Sequence, residues 1–166
     1  VGCGREPHEK REILRRLLRD AKDLNNALIF CNRKREVAVV YKSLQKHGFS
    51  VGALHGDMDQ SARTAALDQF RKGEIPLLVA SDVAARGLDI PAVSHVFNFD
   101  VPHHADDYVH RIGRTGRAGR AGTAISIVTS LDNKSIAAIE RLIGQNIPAA
   151  EGDYAVSSDS SGESDR

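Results

Sequence analysis

The chain has 166 residues, 41% of them hydrophobic and 27% charged, the ordinary balance of one globular domain with a real core. Its formal net charge is +1, so no global charge excess marks a nucleic-acid binder, and no apolar run approaches the ~18 residues of a membrane span. Two cysteines, Cys3 and Cys31, with no C-x-x-C pair argue against a thiolate zinc site or a disulfide framework and point to a reducing, cytoplasmic compartment.

Residues 1–8, with Gly2, Gly4 and Pro7, read as a linker, and a start at Val1 fits a piece of a longer chain. From Glu9 to Leu24 the residues Ile13, Leu14, Leu17, Leu18, Ala21 and Leu24 form one apolar stripe, the pattern of a helix with Arg and Lys on its other face. The run ALIFC (27–31) then predicts a strand in which Cys31 is a small core residue. A helix follows from Glu36 to His47 and stops at Gly48, then a strand VGAL (51–54). A helix over Asp59–Lys72 opens on an N-cap Asp and stops at Gly73. PLLVA (76–80) and VSHVFNF (93–99) predict two further strands, the first followed by the loop VAARGLD. Helices are expected over Ala105–Ile112 and Asn133–Ile143, with a strand TAISIV (123–128) between them. Strands alternating with helices argue an α/β fold: an open, mainly parallel sheet with helices on both faces. The globular unit is placed at 9–148, and residues 149–166, Ser-rich and acidic, are expected to be disordered. Residues 151–166 carry a charge of −4, which leaves +5 for residues 1–150. A mildly basic body with one arginine-rich stretch fits a local anion site better than a coated surface.

In an open α/β sheet, ligands bind beyond the carboxyl ends of the strands. Those ends are followed here by Asn32-Arg33, His55-Gly56-Asp57, Ser81-Asp82 and Asp100-Val101-Pro102-His103-His104. The stretch Tyr108–Gly122 follows the fourth strand and carries Arg111, Arg114, Arg117 and Arg120, interleaved with Gly113, Gly116, Gly119 and Gly122. Glycine costs ~1 kcal/mol in a helix, so the helix should end near Gly113. The loop beyond can bring peptide N–H groups close to a ligand, and arginine grips phosphate bidentately. The residues alone leave a solvated basic loop as the alternative.

Four ordered segments carry a family resemblance. H-R-I-G-R-T-G-R (His110–Arg117), S-D-V-A-A-R-G-L-D (Ser81–Asp89), H-G-D with Q-x-x-R (His55–Asp57 and Gln60–Arg63) and LIFCNRK (Leu28–Lys34) resemble the motifs of the C-terminal RecA-like domain of a bacterial DEAD-box ATP-dependent RNA helicase. One departure is Ser81, where the family usually has Thr; the hydroxyl is kept and a methyl is lost.

The resemblance implies ATP as ligand and RNA as partner, bound without regard to sequence. It makes Arg117 an arginine finger on the γ-phosphate, Arg114 a second contact there, and Asp89 a hydrogen-bond partner of the ribose. It makes His110 a link to the acidic motif of an N-terminal RecA-like domain. It gives Gly56, Arg63, Ser81 and Gly87 contacts to the RNA backbone, with Arg86 stabilising that surface. Bottom-up chemistry agrees but assigns none of these roles. Arg63 also reads as a solvated helix arginine, Asp82 and Asp89 as caps or turn formers, Gly87 as a turn, and His55 and His110 as ordinary histidines.

No G-x-x-x-x-G-K-[ST] and no D-E-A-D occur in the chain. The phosphate cradle and the acids that hold Mg²⁺ are therefore expected in the N-terminal domain, and this chain alone is expected to bind ATP weakly and hydrolyse it negligibly. Two rival readings remain. A non-catalytic RNA- or protein-binding module shares the basic edge and needs no nucleotide. A metal-dependent phosphohydrolase would draw ligands from His103, His104, Asp106, Asp107 and His110.

Overall fold

The apolar run 27–31 is buried at every position and forms β1 (Ala27–Cys31), the middle strand of a five-stranded, all-parallel sheet. The structure is a computed structural model and describes residues 6–86, 88, 90–114 and 122–147. In chain order the elements are α1 (Pro7–Asp20), β1, α2 (Lys34–Lys46), β2 (Val51–Leu54), α3 (Gln60–Arg71), β3 (Leu77–Ser81) and α4 (Asp82–Ala85). They continue with β4 (His95–Asn98), α5 (Ala105–Ile112), β5 (Thr123–Ser126), a 3₁₀ turn (Ser130–Asp132) and α6 (Asn133–Ile143).

The strand order is β2-β3-β1-β4-β5. β1 lies between β3 and β4, with Ala27 opposite both Leu77 and His95. Alternation along the strands divides the core. Ala27, Ile29, Cys31, Leu77 and Val79 face one cluster with the apolar stripes of α1 and α2. Leu28, Phe30, Leu78 and Ala80 face the other, with Ala66, Leu67 and Phe70 of α3 and Ala84 and Ala85 of α4. Both faces of the sheet are thus covered by helices, which is why β1 and β3 read as unbroken apolar runs. α5 and α6 pack on each other through Tyr108, Ile136 and Ile139.

Local chemistry accounts for the ends of the elements. α1 starts at Pro7, inside the stretch read as linker, because Glu6 and Glu9 form a reciprocal capping box with proline in the first turn. It stops at Asp20 rather than Leu24, where Ala21 turns extended. Asp59 caps α3 by accepting from the N–H of Ala62 at 2.8 Å, as the sequence predicts. Gly48 and Gly73 sit just past α2 and α3 with φ of 89° and 79°, conformations that strain any residue with a Cβ. The loop expected after β3 holds the short helix α4, and the strand expected over 93–99 runs only from His95 to Asn98. The linker residues 1–5 and the tail from residue 148 lie outside the described residues.

Candidate functional site

β1 sends the chain toward edge strand β2, while β4 sends it to the opposite edge strand β5. The crevice between their carboxyl ends is the topological switch point, where open α/β sheets take ligands. Here a side chain of the protein itself fills it. Arg111 of α5 is 1% exposed. Its Nε and Nη2 donate to the two carboxylate oxygens of Asp82 at 2.8 and 2.7 Å. Nη1 donates to the Asp100 carbonyl at 2.7 Å and to Asn98 Oδ1 at 3.2 Å. Nη2 also donates to Asn32 Oδ1 at 2.8 Å, so all five N–H groups have acceptors. The guanidinium also lies 5.2 Å from the Phe30 ring centroid.

The acceptors are anchored in turn. Asn32 donates its backbone N–H to Asp100 Oδ2 at 3.0 Å, Asn98 donates to Ser126 Oγ at 3.0 Å, and Lys10 of α1 pairs with Asp100 Oδ1 at 2.5 Å. Arg111 therefore ties together the ends of β1, β3 and β4. Asp82, read as a cap, is instead its carboxylate partner, and the cap of α4 is Ser81. Asp106 and Asp107 in the first turn of α5 and Arg111 in its last turn complement its dipole.

Beside this hub a cavity of about 490 Å³ opens between α4 and α5, with Arg86, His110 and Arg114 on its wall. Arg114 is one helical turn beyond Arg111, just past the Gly113 cap, and in no ion pair among the described residues. Its guanidinium donates weakly to the carbonyls of Ala85 (3.3 Å) and Leu88 (3.5 Å). Its own carbonyl accepts from Val93 N–H at 2.9 Å, which fixes the backbone beside the loop after β3. His110 is exposed, and exposed Arg86 reaches Asp107 at 3.6 Å. The four arginines of the glycine-rich stretch therefore do not act alike. Arg111 is buried structure and Arg114 faces the cavity; Arg117 and Arg120 lie outside the described residues, as do Gly87 and Asp89.

The remaining predicted residues lie along the adjacent carboxyl ends of β2 and β3. Ser81 is 6% exposed, and its Oγ accepts from Ala84 N–H at 3.3 Å. A Cβ placed on Gly56 would meet nothing within 4 Å, so its backbone is open to a ligand. Arg63 donates to Gln60 Oε1 at 3.3 Å, and its buried Nε has no hydrogen-bond acceptor among the described residues. Among the described residues no three His, Cys, Asp or Glu side chains converge as a metal site, so the cluster around His103–His110 is not gathered into one. Burial pushes the Cys31 thiol well up in pKa, which makes it the inert core residue that its place in ALIFC predicts.

The Arg111 hub is what sequence reasoning missed. Its signal was the series of Asn and Asp residues at successive strand ends, read only as ligand-facing groups.

Comparison with known proteins places these features. Residues 9–119 match the helicase conserved C-terminal domain family. The chain is 46% identical over 143 residues to the ATP-dependent RNA helicase RhlB of Klebsiella pneumoniae (strain 342), and equally to that of Escherichia coli (strain K12 / DH10B). Those matches cover 86% of this chain and 34% of each relative, so the chain spans about a third of the curated relatives' length. Among solved structures it is similar to E. coli DEAD-box protein SrmB bound to regulator of ribonuclease activity A, with TM-score 0.82, 40% identity, and coverage of 88% of this chain and 85% of that one. The C-terminal domain of the DEAD-box protein Dbp5 gives TM-score 0.78 at 35% identity, covering 86% of this chain and 83% of that one.

Proposed function

From the premise that this chain belongs to the helicase conserved C-terminal domain family, as the C-terminal RecA-like domain of a DEAD-box protein, we propose that it is half of an ATP-driven RNA-unwinding machine. The other half is an N-terminal RecA-like domain that holds the phosphates of ATP and the Mg²⁺ ion. The observation that carries the reading is Arg114: a cation without a carboxylate partner among the described residues, on the wall of a 490 Å³ cavity and held by weak bonds to carbonyls.

On this reading Arg114 and Arg117 meet the γ-phosphate across the domain cleft, where guanidinium groups offset charge that grows in the transition state. Asp89 accepts from the ribose. His110 contacts the partner domain's acidic motif from its exposed position. Gly56, Arg63, Ser81 and Gly87 hold RNA phosphates and sugars along the ends of β2 and β3, and Arg86 stabilises that surface. The open backbone of Gly56 and the unaccepted Nε of Arg63 support this half of the reading. Ser81 Oγ already accepts from Ala84, and its hydroxyl proton stays available to a phosphate oxygen. Backbone contacts of this kind read shape and 2′-hydroxyls rather than sequence. Residues 9–148 act as one unit, and the chain by itself has negligible ATPase activity.

The test is RNA-stimulated ATPase activity of this chain joined to its N-terminal domain. Arg117→Ala and Arg114→Ala should each lower turnover by about 10³-fold, the scale of an arginine finger, with no change in thermal stability. Full turnover in both variants would overturn the assignment.

A further inference from the structure

A second basic surface lies on the face of the sheet that α1 and α2 cover, opposite α3 and α4. Arg11, Arg15 and Arg19 stand at i, i+4 and i+8 of α1, so they share one ridge about 12 Å long, with steps of about 6 Å. Arg15 Nη1 donates to Ser43 Oγ of α2 at 3.0 Å, and the Arg19 guanidinium lies 5.4 Å from the ring centroid of Phe49, just past α2. The arginine ridge therefore runs beside α2 in the same direction. Lys42 and Lys46, both exposed, occupy one ridge of α2 on either side of Ser43. None of Arg11, Arg15, Arg19, Lys42 and Lys46 has an ion-pair partner among the described residues. The charges act on one another: partial burial and the neighbouring Arg19 and Arg11 lower the pKa of Arg15, and Glu12 only partly offsets them.

Like charges held this close at the surface cost stability unless an anion is brought to them. Three of the five groups are guanidinium, the side chain that grips phosphate oxygens in pairs. An acidic peptide would need apolar anchors as well, and these five positions offer only charged heads. The regular step along the ridge suits a chain of phosphates.

We infer that the α1–α2 ridge is a second RNA-backbone surface, which holds the strand outside the cleft through Arg11, Arg15, Arg19, Lys42 and Lys46. The inference rests on the functional reading only in naming RNA as the polyanion. It is independent of the roles given to Arg63, Arg114 and Arg117.

The experiment measures binding of a long polyuridine strand and of hexauridylate to the full chain by fluorescence anisotropy over a range of salt concentrations. The variant is Arg11→Gln, Arg19→Gln, Lys42→Gln and Lys46→Gln together, which leaves the Arg15–Ser43 bond in place. Long RNA should bind about tenfold more weakly at low salt, and the slope of log K against log salt should shrink by about 2 to 3. Hexauridylate, short enough for the ends of β2 and β3 alone, should be unaffected. Restoring charge with Arg11→Lys and Arg19→Lys, the two lysines left native, should return most of the affinity and so separates lost charge from lost fold. Arg63→Ala should weaken both RNAs. If Arg63→Ala changes neither while the ridge variant weakens long RNA, the cleft assignment fails and the ridge stands. Unchanged affinity and slope for long RNA in the folded ridge variant, or equal weakening of a long polyglutamate peptide and of RNA, overturns the inference.

Discussion

Replacing Arg111 with alanine should be the most damaging single change near the site, through stability before chemistry. The substitution removes five hydrogen bonds, two of them to the Asp82 carboxylate. It leaves Asn98 Oδ1 fully buried without its donor, and Asp82, with a side chain only 19% exposed, without a counter-charge. Breaking a buried pair from one side costs about 3–5 kcal/mol. Against a typical total of about 5–15 kcal/mol that is a large share of the stability of a domain. At about 2–4 °C per kcal/mol for a chain of this size, the midpoint should fall by about 6–20 °C. The chain has no Trp, so urea denaturation is best followed by far-UV circular dichroism. Arg111→Lys should recover only part of the loss, because three donors on a point charge cannot meet five acceptors in a plane. A double-mutant cycle with Asp82→Ala should give a coupling of about 2 kcal/mol or more. If Arg111→Ala unfolds within about 1 kcal/mol of wild type, the hub described here is not a major source of stability.

Two further outcomes follow from local geometry. Ser81→Ala removes the cap of α4 and should cost about 1 kcal/mol in urea, while Ser81→Thr, which keeps the hydroxyl, should stay within about 0.5 kcal/mol; equal losses in both would count against a capping role. Burial raises the pKa of Tyr108, so its neutral form is favoured in the folded chain. Its contribution to stability is therefore fully present below the unfolded value near pH ~10 and is lost as pH rises through the higher folded value. Tyr108→Phe should flatten that part of the stability–pH curve; superimposable alkaline profiles for wild type and variant would refute the assignment.

Much of the fold was legible because it depends on local pattern. Ala27–Cys31, Val51–Leu54, Ala105–Ile112 and Asn133–Ile143 form the elements that their periodicity and flanking residues predict, with the same bounds. α4 was not legible. Four residues make barely one turn, too few to show a period, and its cap, Ser81, is also the last residue of β3. The site divides in the same way. The family resemblance singled out Arg114 and His110, and both lie on one cavity. The difference between Arg111 and Arg114 could not be read from a regular three-residue step. It is set by Asn32, Asp82 and Asn98, which are 79, 29 and 13 residues away in sequence and meet Arg111 only once the sheet has formed. The ridge on α1 was visible only as the polar side of an amphipathic helix. Its relation to Lys42 and Lys46 needed the α1–α2 packing.

A side chain bonded to three neighbouring strands also restricts motion. α5 cannot swing or slide without stretching bonds at the ends of β1, β3 and β4 at once. A displacement at α5 is therefore passed to the sheet through five hydrogen bonds rather than absorbed by a local bend.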